Sequence, residues 1–105
     1  MIEIKPNEIR RKQADQPQLL ASLDNLVKLA ARSDSGGAYV AAKVVLSAYN
    51  SSDYPLDIAE LGALDTDLFE DALNVIRLRI QHAYEPHEFF TEGGQLFEAI
   101  AQEKG

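Results

Sequence analysis

The chain has 105 residues, enough for one domain, and its 46% apolar and 26% charged residues exclude a wholly disordered chain. It contains no cysteine, which excludes disulfide bonds, thiolate nucleophiles and zinc sites with sulfur ligands. The net charge of -7 is concentrated in residues 53–105, which contain twelve acidic and three basic side chains. Binding of this half of the chain to the phosphates of nucleic acids is therefore disfavoured.

The location of the protein is predicted from the absence of long apolar segments. The first thirty residues contain no apolar core of the kind that a secretory signal needs. No stretch approaches the roughly 18 apolar residues of a membrane span. We therefore predict a cytoplasmic protein that makes no membrane contact.

The N-terminal residues 1–14 show no sustained apolar period and carry a basic cluster at Arg10, Arg11 and Lys12. This pattern predicts a flexible N-terminal tail, followed by a single helical domain over residues 15–105. A first helix is predicted from Pro17 to about Arg32, because its apolar residues recur at steps of three and four. These residues are Leu19, Leu23, Leu26, Val27 and Ala30.

The middle of the chain predicts three further helices. Residues 38–49 are apolar nearly all round, which is typical of a central helix. After a turn, Asp57 can cap a short helix, and Asp65 or Thr66 can cap a longer one that reaches about Ile80. In the longer helix the predicted core stripe is Phe69, Ala72, Leu73, Ile76 and Ile80.

The last quarter of the chain contains two shorter predicted elements. Pro86 can open a short helical turn that runs through Phe90. Because two adjacent glycines weaken a helix, we expect a break at residues 93–94, followed by a last helix over residues 95–103. Together these elements predict an all-α fold, a small bundle of four or five helices with a flexible N-terminal tail.

A series of short motifs in the second part of the chain resembles a known family. The motifs are Ala48-Tyr49-Asn50, Leu56-Asp57, Leu64-Asp65, Val75 to Arg79, and above all the run Glu85 to Glu98. They resemble a family of short bacterial proteins of unknown function from proteobacterial genomes, some of them on mobile elements. The resemblance covers residues 38–101 and implies a bacterial source and a shared domain, but no catalytic residues.

The acidic residues of the middle segment are the candidate binding residues. Between Lys43 and Arg77 the sequence has no basic side chain. The candidates in this segment are Asp57, Glu60, Asp65, Asp67, Glu70 and Asp71. A surface of this kind predicts docking of a basic protein partner, and it disfavours direct DNA binding.

Two adjacent aromatic residues, Phe89 and Phe90, allow two interpretations. One ring can remain at the surface beside acidic residues and serve as a further partner-binding contact. Alternatively, both rings can pack against the long and terminal helices and close the core. The sequence leaves both open.

Two histidines, His82 and His87, with Glu85 and Glu88 nearby, are the weaker candidates for chemistry. Five residues on a helix correspond to about 500° of rotation, so the two rings would point apart. We therefore predict no metal and no cofactor. The sequence favours a non-catalytic protein-interaction module, and the alternative is a small metal-binding protein or enzyme that uses His82 and His87. The oligomeric state is left open.

Overall fold

Helices form nearly all of the regular structure, which confirms the predicted all-α class. The structure is a computed structural model that describes residues 2–105. It contains α1 (Glu8–Ala14), α2 (Pro17–Arg32), α3 (Gly36–Tyr49), the 3-10 helix η1 (Ile58–Ala63), α4 (Thr66–Ile80), the 3-10 helix η2 (Pro86–Phe89) and α5 (Gly93–Lys104). None of the helices in the described part of the chain is long and apolar enough to cross a membrane.

Side-chain caps fix where four of these helices begin. Asn7, Ser35 and Asp65 each accept a hydrogen bond from a backbone N–H three residues further on, and Asp57 accepts one two residues on. Such bonds satisfy donors that have no partner within the first helical turn. The two caps predicted from sequence, Asp57 and Asp65, are confirmed.

Helix α3 lies at the centre of the fold, as predicted, and contacts α2, α4, α5 and both 3-10 helices. Its small and branched residues allow this close approach on several sides. Those that are buried are Ala38, Ala41, Ala42, Val44, Val45 and Leu46. The largest fully buried side chains in residues 2–105 are Phe89 of η2 and Phe97 of α5.

Helix α4 turns a different face to the core from the one that its apolar pattern predicts. The fully buried residues are Ala72, Val75 and Leu78. Of the predicted core stripe only Ala72 is fully buried, while Phe69 and Ile80 are 36% and 73% exposed. In this orientation Asp71 and Asn74 of α4 both form hydrogen bonds with Ser22 of α2.

The N-terminal segment differs from the predicted flexible tail. Residues 8–14 form helix α1, which packs on η2 and α2, and Ala14 is buried. The backbone N–H of Asn7 donates to the Phe89 carbonyl at 2.9 Å, and the N–H of Thr91 donates to the Lys5 carbonyl at 2.8 Å. These bonds join residues far apart in sequence, so no local pattern reveals them. Met1, the first residue of the predicted tail, lies outside the described residues.

The two adjacent glycines begin α5 instead of interrupting the chain before it. Gly93 is buried and forms the first residue of the helix, preceded by Glu92 in the left-handed conformation. A Cβ atom at Gly93 would lie 1.7 Å from the His87 carbonyl oxygen. The glycine is therefore required by the close approach of η2, and the break between η2 and α5 lies at residues 90–92 instead of at the glycines.

Candidate functional site

The acidic residues singled out from sequence lie in two separate regions of the surface. Asp57 and Glu60 line a small groove beside η1 that also contains Lys43. Asp67, Glu70 and Asp71 line a different groove, between α4 and α2. The structure therefore does not bring all six candidate carboxylates together.

Three of the six candidate carboxylates hold the fold together locally. Asp57 and Asp65 cap η1 and α4, as described above. Glu60 forms an ion pair with Lys43, with 2.9 Å between Oε1 and Nζ. Because each of these groups already has a partner within the chain, it is less available to bind a ligand than a free carboxylate is.

The groove between α2 and α4 is named here the acidic groove. It has a volume of about 670 Å³. Its lining residues are Gln18, Ala21, Ser22, Asp24, Asn25, Lys28, Asp67, Glu70, Asp71 and Asn74. Within residues 2–105, Lys28 is the one basic side chain that lines it, against four carboxylates.

Asp71 is held in one orientation at the wall of the acidic groove. The Ser22 hydroxyl donates to its Oδ1 and the Asn25 amide donates to its Oδ2, both at 2.7 Å. The Asn74 amide in turn donates to the Ser22 hydroxyl at 2.9 Å. A carboxylate has about four lone-pair sites, so each oxygen of Asp71 can still accept a further hydrogen bond.

Asp67 and Glu70 are the free charges of the acidic groove. Both side chains are exposed, and neither forms a hydrogen bond or ion pair with any residue between 2 and 105. Asp24, in contrast, is bound by both terminal nitrogens of Arg11, at 2.6 and 2.7 Å. The uncompensated negative charge of the groove therefore lies on its α4 side.

Phe89 and Phe90 are both buried, with 0% and 3% of their surface exposed. The Phe89 ring meets Tyr84 edge-on at 5.4 Å, and the Phe90 ring packs against Phe97 at 6.1 Å. This corrects their assignment as candidate partner-binding residues, because neither ring reaches the surface. The alternative interpretation, in which both rings close the core, is the one that the structure shows.

The two histidines occupy different surroundings. His82 is exposed and its ring stacks on Tyr84. His87 is half-buried, with its ring edge-on to Tyr49 at 5.2 Å and its Nδ1 4.0 Å from a Glu85 oxygen. Among residues 2–105 no group of three or more histidine or carboxylate side chains is arranged to hold a metal ion.

Tyr49 contacts both His87 and helix α5. Its hydroxyl donates a hydrogen bond to Glu98 at 3.1 Å. Burial raises the pKa of Tyr49 above its ordinary value of 10.0, and the bond to Glu98 raises this pKa further because it favours the protonated phenol. Tyr49 therefore stays neutral around pH 7 and acts as a donor that ties α3 to α5.

Comparison with known proteins supplies a family. The model of a family of unknown function, DUF7673, matches residues 20–105. The chain belongs to this family. No curated protein and no solved structure matches the chain. The predicted resemblance to a family of unknown function is thereby confirmed, and the matched region begins earlier in the chain than the motifs suggested.

The DUF7673 match covers both walls of the acidic groove except Gln18, and the whole buried core except Ala14. Helix α1 lies before it, so the ion pair between Arg11 and Asp24 joins the DUF7673 region to the residues that precede it. Sequence reasoning did not assign Ser22 or Asn25 to the acidic groove. The one signal in the sequence was Ser22, a polar residue among the buried apolar residues of α2, whereas Asn25 is exposed and has the pattern of an ordinary surface residue.

Proposed function

We propose that this DUF7673 protein is a non-catalytic protein-interaction module that binds a basic partner in the acidic groove. The observation that carries the proposal is the pair of exposed carboxylates, Asp67 and Glu70, that have no partner within residues 2–105. Unpaired charges of one sign beside a groove attract an oppositely charged protein and orient its approach.

Asp71 supports the proposal because it is a carboxylate already fixed in place. Ser22 and Asn25 hold both of its oxygens, so a partner's lysine or arginine would meet an acceptor that loses little freedom on binding. An arginine that enters between Asp71 and Asp67 could donate to both carboxylates at once. The favoured partner segment is therefore one that presents arginine or lysine side chains to a groove wall.

The remaining features of the proposal follow from the sequence. We infer a cytoplasmic protein without a cofactor, of bacterial origin, in which His82 and His87 are surface residues and not ligands. The same carboxylates would repel a DNA backbone, so the basic partner is expected to be a protein.

The proposal is tested by recovering partners from the native host and then measuring binding with the purified partner. We expect a basic protein that is released by several hundred millimolar salt, because screening weakens attraction between exposed charges. The double variant Asp67→Lys, Glu70→Lys should weaken its binding by about tenfold or more, measured by fluorescence anisotropy.

A matched control separates the groove from the overall charge. Glu8 and Glu92 are exposed and their side chains make no hydrogen bond or ion pair with other residues in the described range. The double variant Glu8→Lys, Glu92→Lys changes the net charge by the same amount and should bind nearly as the original protein does. Equal weakening by both double variants, or binding that survives both salt and charge reversal, contradicts the proposal.

A further inference from the structure

One side of α4 carries an apolar stripe that the other elements in residues 2–105 leave partly exposed. The stripe consists of Phe69, Leu73, Ile76 and Ile80, spaced by four, three and four residues. Phe69 is 36% and Ile80 is 73% exposed, while Leu73 and Ile76 are half-buried. We call this set the α4 stripe.

A third exposed apolar residue, Ile58, enlarges the surface at the C-terminal end of the α4 stripe. Ile58 of η1 is 77% exposed, the highest exposure among the large apolar side chains in residues 2–105. It lines, together with Ile76 and Ile80, a groove of about 700 Å³ between η1, α3 and α4. Large apolar side chains gathered at one place on a small protein mark a contact surface more often than isolated ones do.

We propose that the α4 stripe binds a second copy of this chain, with the two α4 helices antiparallel. Apolar residues at alternating steps of four and three form the seam along which two helices pack side by side. Since α4 has 15 residues, its length of about 22 Å accommodates all four stripe residues in one continuous contact.

The charges beside the α4 stripe select the antiparallel orientation. Glu70 and Arg77 are seven residues apart, so they flank the same side of the stripe. Within residues 2–105 Glu70 has no ion-pair partner, and Arg77 makes only a hydrogen bond to the side chain of Asn74. In an antiparallel pair, Glu70 of each copy faces Arg77 of the other. In a parallel pair this flank would meet the opposite flank of the second stripe, so Glu70 would face Asp65 and Arg77 would face Ala72, and neither charge would gain an opposite partner.

The apolar residues match in the same orientation. Reversing one helix about the middle of the α4 stripe brings Ile80 of one copy against Phe69 of the second copy. The Phe69 ring then lies beside the groove that Ile58 and Ile76 line. Most of the exposed apolar area of this surface lies on three side chains, Phe69, Ile80 and Ile58. Because the contact is small, we expect a dimer with a dissociation constant in the micromolar range.

The test measures the mass of the purified protein alone by sedimentation velocity across a range of concentrations. We expect a monomer that converts to a dimer as concentration rises. Ile80→Lys should weaken this dimer by about tenfold or more, because it buries a charge in the apolar contact. Ile9, which is 76% exposed on α1, provides the control, and Ile9→Lys should leave the dissociation constant unchanged.

A charge exchange tests the orientation. Glu70→Arg and Arg77→Glu should each weaken the dimer, since each places like charges opposite one another. The two substitutions together should restore the dissociation constant to nearly its original value, with circular dichroism confirming that each variant folds. A protein that stays monomeric throughout, a dimer insensitive to Ile80→Lys, or a failure of the combined exchange to restore binding overturns the proposal. Glu70 takes part in both proposals, but no basic partner is present in this test, so its failure concerns the dimer and leaves the binding of a basic partner to be judged by its own experiment.

Discussion

At Gly93 the junction between two helical elements leaves no room for a Cβ atom. The Cα of Gly93 lies against the carbonyl of His87, where η2 and α5 meet, and a Cβ would overlap that oxygen. The next residue, Gly94, has no neighbouring atom within 4 Å of the position that a Cβ would take. Two adjacent glycines therefore have opposite structural roles, although their sequence context is nearly the same.

This difference predicts opposite effects for the same substitution. Gly93→Ala should lower the free energy of unfolding by about 1–3 kcal/mol, because backbone atoms must move to make room. Gly94→Ala should raise it by about 0.4–1 kcal/mol, because alanine reduces the freedom of the unfolded chain at a helical position. Urea denaturation of the two variants measures both values. A similar loss of stability in both would show that the close approach at Gly93 is not the cause.

At the scale of whole elements, α1 depends on contacts with distant residues. It has only seven residues, fewer than an isolated helix needs to be stable in water. Arg11 supplies the main connections: it holds Asp24 of α2 with two hydrogen bonds and donates a third to the Phe89 carbonyl at 2.9 Å. A basic residue that looked like part of a solvated tail is thus the link between α1, α2 and η2.

Removal of this link should release α1. We expect Arg11→Ala to lower the free energy of unfolding by about 1–3 kcal/mol, because it breaks three hydrogen bonds that involve a charged group. Arg11→Lys should recover only part of the loss, since an ammonium cannot bind both Asp24 oxygens and the Phe89 carbonyl at once. Hydrogen exchange should show faster amide exchange in residues 8–14 in both variants. Unchanged exchange and unchanged stability would mean that the segment is held by other contacts.

Local signals were sufficient to predict where most helices lie. The bounds of α2 agree with the prediction, and Asp65 and Ile80 mark the two ends of α4 as expected, because caps and periodicity act within one helix. The orientation of α4 was not predictable from the same signals. Its apolar residues cover more than one face, and which face is buried depends on Ser22 and Asp71 meeting across two helices.

The same limit applies to the candidate site. The sequence located the acidic segment but could not show that Glu60 would be paired with Lys43 while Asp67 and Glu70 stay free. These outcomes depend on distances between elements, which spacing along the chain does not determine. Phe89 and Phe90 illustrate the converse, since only the packing of η2 against α5 decides that both rings are buried.

For the molecule as a whole, the uneven charge distribution opposes compactness. The chain carries a net charge of -7, and its compact form has a radius of gyration of 12.3 Å. Residues 53–105 hold most of the acidic excess, and the free carboxylates Asp67 and Glu70 lie within about one turn of each other on α4. Unpaired like charges held close together destabilise the folded state more than the extended chain.

Screening should therefore stabilise this protein. At dilute concentration we expect the thermal midpoint to rise by roughly 2–4 °C between low and physiological sodium chloride, which corresponds to about 0.5 kcal/mol. Neutralising the free carboxylates with Asp67→Asn and Glu70→Gln changes the net charge from -7 to -5 and should reduce this salt dependence. The matched control, Glu60→Gln with Glu88→Gln, gives the same net charge but removes the ion pairs to Lys43 and Arg10, so it should not raise the midpoint at low salt. Differential scanning calorimetry measures all three proteins. If the two double variants respond to salt alike, the repulsion is a property of the total charge and not of the free carboxylates on α4.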